Sequence, residues 1–351
     1  VANDRQEPDS SKAPTSADVA RRAGVSQTTV SQVLNGKAGI TRISADTRQK
    51  VLDAAANLGY TPNHAARSLR ERRTKLIALV MPTIGNPYFS DVVHAAQEVA
   101  RDAGYSVAVI PMRAAGDLRT SALLQGAACD GIIATGHDNC SSPDLLALKA
   151  RGLAVVVVQE PSPDPAISSI SVDLEEGGYI ATRHLIRQGH RRVCHITERL
   201  RALPDAESRL GGYRRALAEA GLPFDPELVF VTENSMEGGA AAVDRLLELA
   251  QNSPTAAFVY NDRLAVGALA RLRERGVNVP GEFSLVGFDG LAIGAFTAPA
   301  LTTIDSPREA IGRLAAETLI KAIEDGYQTG QTHRLPVRLV VRGSCGGQPA
   351  P

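Results

Sequence analysis

From Leu76 onward, apolar residues come in short runs bounded by turn residues, and each run is followed by a longer amphipathic stretch. Leu76–Met81, Val107–Pro111, Gly131–Thr135 and Ala154–Val158 are nearly continuous in apolar residues, as strands covered on both faces must be. Strand–helix repetition of this kind predicts a parallel sheet flanked by helices. A second series follows. It reads as a helix over Tyr179–Leu185, then strands over Arg192–Ile196, Leu228–Thr232, Ala256–Tyr260 and Phe283–Val286. Helices around Gly212–Ala220, Ala240–Ala250 and Leu264–Arg275 separate them. Two series of comparable length predict two similar α/β lobes. Leu301–Asp305, a helix near Ala310–Ala322 and a last strand, Arg334–Val341, remain as a surplus that lets the chain cross back between them. The expected partition is lobe one at about 75–173 and 304–328, lobe two at about 174–303 and 329–343, and a tail at 344–351. Ligands of open α/β sheets sit beyond the carboxyl ends of the strands.

Residues 14–61 follow a helical period instead. Val19, Ala20, Ala23, Val25, Val30, Val33 and Leu34 form one apolar face when two short helices pack across Gly24-Val25. Gly24 stands where the first helix must stop and reverse, a position that favours positive φ. Ser26 is placed to cap the second helix, and Asn35-Gly36 closes it. Gln27, Thr28, Ser31 and Gln32 are left on the outer face, short polar side chains of the kind that read base edges in a major groove. A third helix is predicted from Ser44, with Val51, Leu52, Ala55 and Leu58 at helical spacing and Gly59 as its stop. Pro62 then breaks the backbone, and Asn63 can cap a short helix in which Ala66 and Leu69 share a face.

These residues closely resemble the headpiece and hinge helix of the LacI/GalR family of transcription regulators. The resemblance runs from about Thr15 to Gly343. It implies an all-α helix-turn-helix headpiece (14–61), a hinge helix and linker (62–74), and a two-lobed core like that of periplasmic sugar-binding proteins (75–343), with two parallel sheets flanked by helices. It further implies DNA contacts from Thr15, Ser26, Gln27, Thr28, Ser31, Gln32 and Asn35, and from Asn63, Ala66, Arg67 and Leu69 in the hinge. Leu69 matches the leucine that opens a central base step of the minor groove. In the core, Asn86-Pro87-Tyr88-Phe89 resembles the family's NPxF loop and Arg209-Leu210-Gly211-Gly212-Tyr213 its RxxG(Y/F) segment. Asn261-Asp262 resembles the ND pair, and Val286-Gly287-Phe288-Asp289 the (V/I)GFD segment. Phe89, Asp173, Arg209, Asn261, Asp262 and Asp289 are the effector residues it implies, with the arginine fork suited to paired hydroxyls or a carboxylate. Each has a plainer alternative. Asp262 can cap the helix that follows, Asp173 and Asp289 can hold turns, and Arg209 can pair with an acid.

This sequence departs from the family pattern in places. Gln32 stands where many members carry a guanine-reading arginine, and glutamine favours adenine. Ile196-Thr197-Glu198-Arg199 lacks the glycine that many members have after this strand, which alters one cleft wall. Lys37 to Arg42 lengthens the turn before the third helix, and Arg42 either touches phosphate or simply lies on the surface.

Charge sharpens the picture. The whole chain balances 38 basic against 38 acidic residues, yet Ser11 to Lys75 holds twelve Lys or Arg against four acids, a local excess of eight. A basic arm on a body of opposite charge is the electrostatic footprint of a small DNA module joined to a domain that does not touch DNA. Val1 to Lys12 is polar and reads as a disordered tail at 1–13, without the apolar core of an export signal. Cys129, Cys140, Cys194 and Cys345 show neither CxxC pairing nor zinc spacing and read as separate thiols of a reducing compartment, hence a cytoplasmic protein. No HExxH, GxSxG or Walker lysine motif is present, so neither an enzyme nor a cofactor is expected. The expected protein is a homodimeric repressor that binds a palindromic operator and answers to a sugar or sugar derivative in the cleft. The competing class, a solute-binding protein or sugar-processing enzyme without DNA function, leaves the headpiece unexplained.

Overall fold

The computed structural model describes residues 14–34, 43–61, 73–112, 128–135, 142–159, 162, 164–198, 208–249, 253–326 and 330–346. It divides into two compact units, Val1–Thr74 and Lys75–Pro351. The expected site residues Asn35, Asn63, Ala66, Arg67 and Leu69 lie outside the described residues, as does the segment from Lys37 to Arg42.

In the first unit, helices α1 (Ser16–Ala23), α2 (Gln27–Leu34) and α3 (Ala45–Leu58) enclose a small core of Val19, Ala20, Val30, Val33, Val51, Ala54 and Ala55. Thr15 and Asp18 form a capping box at the start of α1, with the Thr15 amide donating to Asp18 Oδ2 at 2.9 Å. Gly24 ends α1 at φ 67°, a left-handed turn that a side chain would strain. Ser26 caps α2, its Oγ accepting from the Thr29 amide at 3.1 Å. On α3 the buried stripe is Val51, Ala54 and Ala55, with Leu58 packed against it, and Leu52 faces solvent. The i, i+3, i+4, i+7 spacing selects Ala54 over Leu52, which lies about 100° round the helix from Val51.

The second unit holds two six-stranded sheets. The first sheet has β1 (Leu76–Met81), β2 (Ser106–Pro111), β3 (Gly131–Thr135), β4 (Ala154–Gln159) and β5 (Ser168–Val172), joined through α4 (Pro87–Asp102) and α5 (Ser142–Ala150). Helix α6 (Leu174–Arg187) then opens the second lobe. Its strands are β6 (Val193–Glu198), β7 (Val229–Thr232), β8 (Ala256–Val259), β9 (Ser284–Asp289) and β10 (Thr302–Asp305). Helices α7 (Arg209–Glu219), α8 (Met236–Leu247) and α9 (Asp262–Glu274) connect them. The long helix α10 (Arg308–Asp325) returns to the first lobe and packs along α4, β3, β4 and β5. Among the described residues no helix is long and apolar enough to cross a membrane.

The return segment differs from the expected single strand Arg334–Val341 in the second lobe. It forms β11 (Thr332–Leu335), parallel to β5 in the first sheet, and β12 (Arg338–Val340), antiparallel to β10 in the second. Pro336 explains the split, because it has no amide to donate and interrupts the ladder. The first lobe therefore reaches Leu335. The chain passes between the lobes at Val172–Leu174, Asp305–Arg308 and Leu335–Arg338.

Candidate functional site

The carboxyl ends of both sheets' strands converge where these connections run, and buried polar side chains collect there. Ser208 caps α7 by accepting from the Gly211 amide at 3.1 Å, which fixes Arg209 as the first helical residue. The Arg209 side chain is 3% exposed. Its guanidinium lies 4.2 Å from the Tyr260 ring centroid and 4.1 Å from that of Phe288, so aromatic faces flank the charge. Asp289, at the end of β9, places Oδ1 3.7 Å from Arg209 Nη2. Burial pushes the Asp289 carboxyl up to about 7, the Arg209 and Arg308 charges oppose that rise, and Glu198 adds to it. Asp289 Oδ1 makes no hydrogen bond among the described residues.

The first lobe contributes α4. Asn86 caps it, its Oδ1 accepting from the Tyr88 amide at 3.1 Å, and Pro87 occupies the first turn. Tyr88 is 2% exposed, and the charges of Asp289 and Arg209 in the second lobe, and of Arg308 at the start of α10, act on its hydroxyl. It lies beside the Ser306 hydroxyl, and both oxygens are buried with no hydrogen bond made among the described residues. Burial, and then the Asp289 charge, hold this phenol well above its usual range. Phe89 packs edge-on against Tyr88, 5.4 Å between centroids, and belongs to the apolar core.

The other expected effector residues are bonded within the scaffold. Asn261 caps α9 through Leu264 N at 2.9 Å, and its amide donates to Asn234 Oδ1 at 2.8 Å. Asp173 caps α6 through Glu176 N at 2.9 Å and meets Arg334 at 3.4 Å. Asp262 is fully buried, with Oδ1 accepting from Thr303 Oγ1 at 2.5 Å and Oδ2 from the Leu291 amide at 2.7 Å. A Cβ at Gly287 would come within 2.2 Å of Asp262 Oδ1, so the glycine of the Val286–Asp289 motif makes room for this carboxylate. Arg209 and Asp289 are therefore brought together, with Tyr88 and Phe89 across from them. Asp262 ties β9, β10 and the start of α9 to one another. Tyr88, Tyr260, Phe288 and Ser306 are the side chains that sequence reasoning missed. The first three each precede a residue named from its motif, so the signal was one position away.

Asp262 yields a pH prediction. Burial and the Asp289 charge raise its carboxyl to about 8 from an ordinary 3.8. Between those values the folded state holds the proton that the unfolded chain releases, so stability falls as pH rises through this window. Asp262→Asn keeps an acceptor for the Leu291 amide and sets an amide group against Thr303 Oγ1, while removing the titration. Thermal unfolding followed from pH 5 to 8.5 is expected to show a steeper loss in the wild type than in this variant. Parallel curves would contradict the assignment.

Residues 74–342 match the model described as periplasmic binding proteins and sugar binding domain of LacI family, and residues 15–63 match bacterial regulatory proteins, lacI family. The HTH-type transcriptional regulator DegA of Bacillus subtilis (strain 168) is 35% identical, over 93% of this chain and 96% of its own length. The chain belongs to the LacI family. A second LacI-family relative, the HTH-type transcriptional repressor PurR of Aliivibrio fischeri (strain MJ11), is 32% identical over 93% of this chain and 97% of its own. Among solved LacI-family structures, the lac repressor dimer bound to operator and the anti-inducer ONPF superposes with a TM-score of 0.82. It is 28% identical and covers 95% of this chain and 99% of its own. A complex of the transcriptional regulator CelR with cellobiose gives 0.70 at 30% identity, covering 94% and 99%.

Proposed function

We propose that this LacI-family chain is a homodimeric, sequence-specific DNA-binding repressor controlled by a small polyhydroxy effector, a sugar or sugar derivative, held between the lobes. Residues 14–61 form the DNA-binding headpiece, 62–74 the hinge and 75–343 the effector-binding and dimerisation core. The observation that carries the effector half is the Arg209–Asp289 pair, buried at the strand ends, with Asp289 Oδ1, Tyr88 Oη and Ser306 Oγ around it lacking a hydrogen-bond partner among the described residues. A buried polar group without a partner costs free energy, and a hydroxyl-bearing ligand supplies the missing donors and acceptors. In this reading Arg209, Asp289, Tyr88 and Ser306 bind polar groups, and Phe89, Tyr260 and Phe288 shape the apolar walls. Asn261, Asp262 and Asp173 act through the scaffold. A regulator is the role we assign.

The DNA half rests on α2. Gln27 and Thr28 are exposed and Ser31 and Gln32 half-buried, while Val30 and Val33 point inward. Ser26 and Thr15 hold helix N-termini, with amides of the kind that meet phosphates. One headpiece reads too few base pairs for useful specificity, so two must share a palindrome. A second copy also accounts for the loop after β9, where Phe296 is 84% and Ile293 46% exposed. Control then follows from linkage. Effector binding favours one lobe arrangement, which sets the spacing of the paired hinges and hence operator affinity.

Selection of bound sites from random duplex DNA tests this directly. A symmetric site should emerge from the wild type, and Gln32→Arg should move one half-site position toward guanine. Enrichment without symmetry, or an unchanged preference in the variant, would contradict the DNA reading.

A further inference from the structure

Arg308, the first residue of α10, makes contacts that the effector site itself does not require. Its Nε donates to Asp91 Oδ2 at 2.8 Å, and Asp91 lies on α4 of the first lobe. The same guanidinium donates through Nη1 to the carbonyl of Asp289 and through Nη2 to that of Gly290 at 3.1 Å. Those carbonyls belong to the end of β9 in the second lobe. Asp289 and Gly290 both have positive φ, 107° and 72°, which turns this strand end out of the regular ladder. The Arg308 side chain is only 12% exposed, and α10 packs on first-lobe elements.

We propose that Arg308 is an inter-lobe latch: a positioning residue that holds the Asp289 backbone against the first lobe and so couples the effector site to lobe closure. Three features of the geometry carry this. The guanidinium is a rigid fork with several donors, able to hold a carboxylate on one edge and carbonyls on the other. Its bonded carboxylate, Asp91, travels with the first lobe, while the two carbonyls and the looser Asp305 carboxylate, 3.8 Å away, travel with the second, so the full set of contacts exists only while the lobes meet as they do here. Asp289 is also shared, its side chain turned to Arg209 and its carbonyl held by Arg308. A ligand that reorients Asp289 therefore acts on the latch, and loss of the latch lowers apparent ligand affinity by the fraction of molecules still closed.

The coupling to ligand rests on the effector-site reading, but the latch can be tested without any ligand. Spin labels at Ile84 and Glu233, exposed positions after β1 and β7, report the separation of the lobes in the full-length protein. Cys140→Ser prepares the background, since Cys129, Cys194 and Cys345 are buried. In pulsed electron-electron resonance, Arg308→Met is expected to lower the ratio of short to long distances about tenfold, the size of a lost charge-assisted bond set. Arg308→Lys should recover part of that ratio, and Asp91→Asn should shift it in the same direction by a smaller factor. Arg313→Met removes an ion pair to Glu98 that joins α10 to α4 within the first lobe, and should leave the distances unchanged. Wild-type distances in both the Arg308 and Asp91 variants would overturn the proposal, as would an equal shift with Arg313→Met. If Arg308→Met does not fold, Asp91→Asn decides the matter. Failure of the effector reading would look different: ligand affinity indifferent to Arg209→Met, with the label distances as predicted.

Discussion

Arg209→Met is expected to weaken effector binding about 100-fold or more and to abolish the effect of ligand on operator affinity. Arg209 is the cation facing Asp289 between two aromatic faces, and a desolvated arginine that meets the ligand in such a place dominates affinity. Methionine fills much of the volume but supplies no donor. Removing one member of a buried pair also leaves Asp289 uncompensated, which lowers stability and drives its carboxyl further toward the neutral form. Arg209→Met combined with Asp289→Asn separates the two effects. The double variant should regain much of the lost melting temperature and still fail to bind ligand. Isothermal titration together with thermal unfolding checks both halves. Ligand binding that survives in either variant would remove Arg209 from the site.

Leu69→Ala should cut affinity for the selected operator by about 100-fold while changing affinity for unrelated DNA only a few-fold. An apolar wedge between base steps acts only where the duplex is kinked, whereas phosphate contacts act on any sequence. Leu69 lies outside the described residues, and its role follows from its match to the hinge pattern Asn63, Ala66, Arg67, Leu69. Parallel titrations on operator and random duplex at one salt concentration distinguish the outcomes. Equal losses on both would mean that Leu69 contributes only to packing.

Much of the core was legible because strands buried on both faces leave continuous apolar runs. Leu76–Met81 and Gly131–Thr135 appear as strands with the bounds their sequence suggested. The headpiece was readable from Val19, Val30 and Val33 together with the Gly24 turn and the Ser26 cap, all local signals. What could not be read depends on partners distant in the chain. Asp262 resembled a ligand carboxylate, yet its bonds go to Leu291 and Thr303, 29 and 41 residues further on. Tyr88, Tyr260 and Phe288 are aromatic residues beside motif positions, and such residues look alike whether they line a cleft or fill a core. The split of the return segment into β11 and β12 turned on Pro336, which periodicity alone passes over. The segment Ile196 to Arg199, noted for its missing glycine, carries Glu198, whose charge helps raise the Asp289 carboxyl.

The central claim is that ligand in the cleft changes the hold on DNA. A thermal-shift screen against sugars, sugar phosphates, nucleosides and purines identifies the ligand, because binding to the native state raises the melting temperature. The decisive measurement is then the affinity of the full-length protein for its selected palindrome, by fluorescence anisotropy, with and without that ligand at saturation. A change of about tenfold or more is predicted, within the usual range of coupling between sites, and it should vanish in Arg209→Met. Identical affinities with and without saturating ligand would contradict the account.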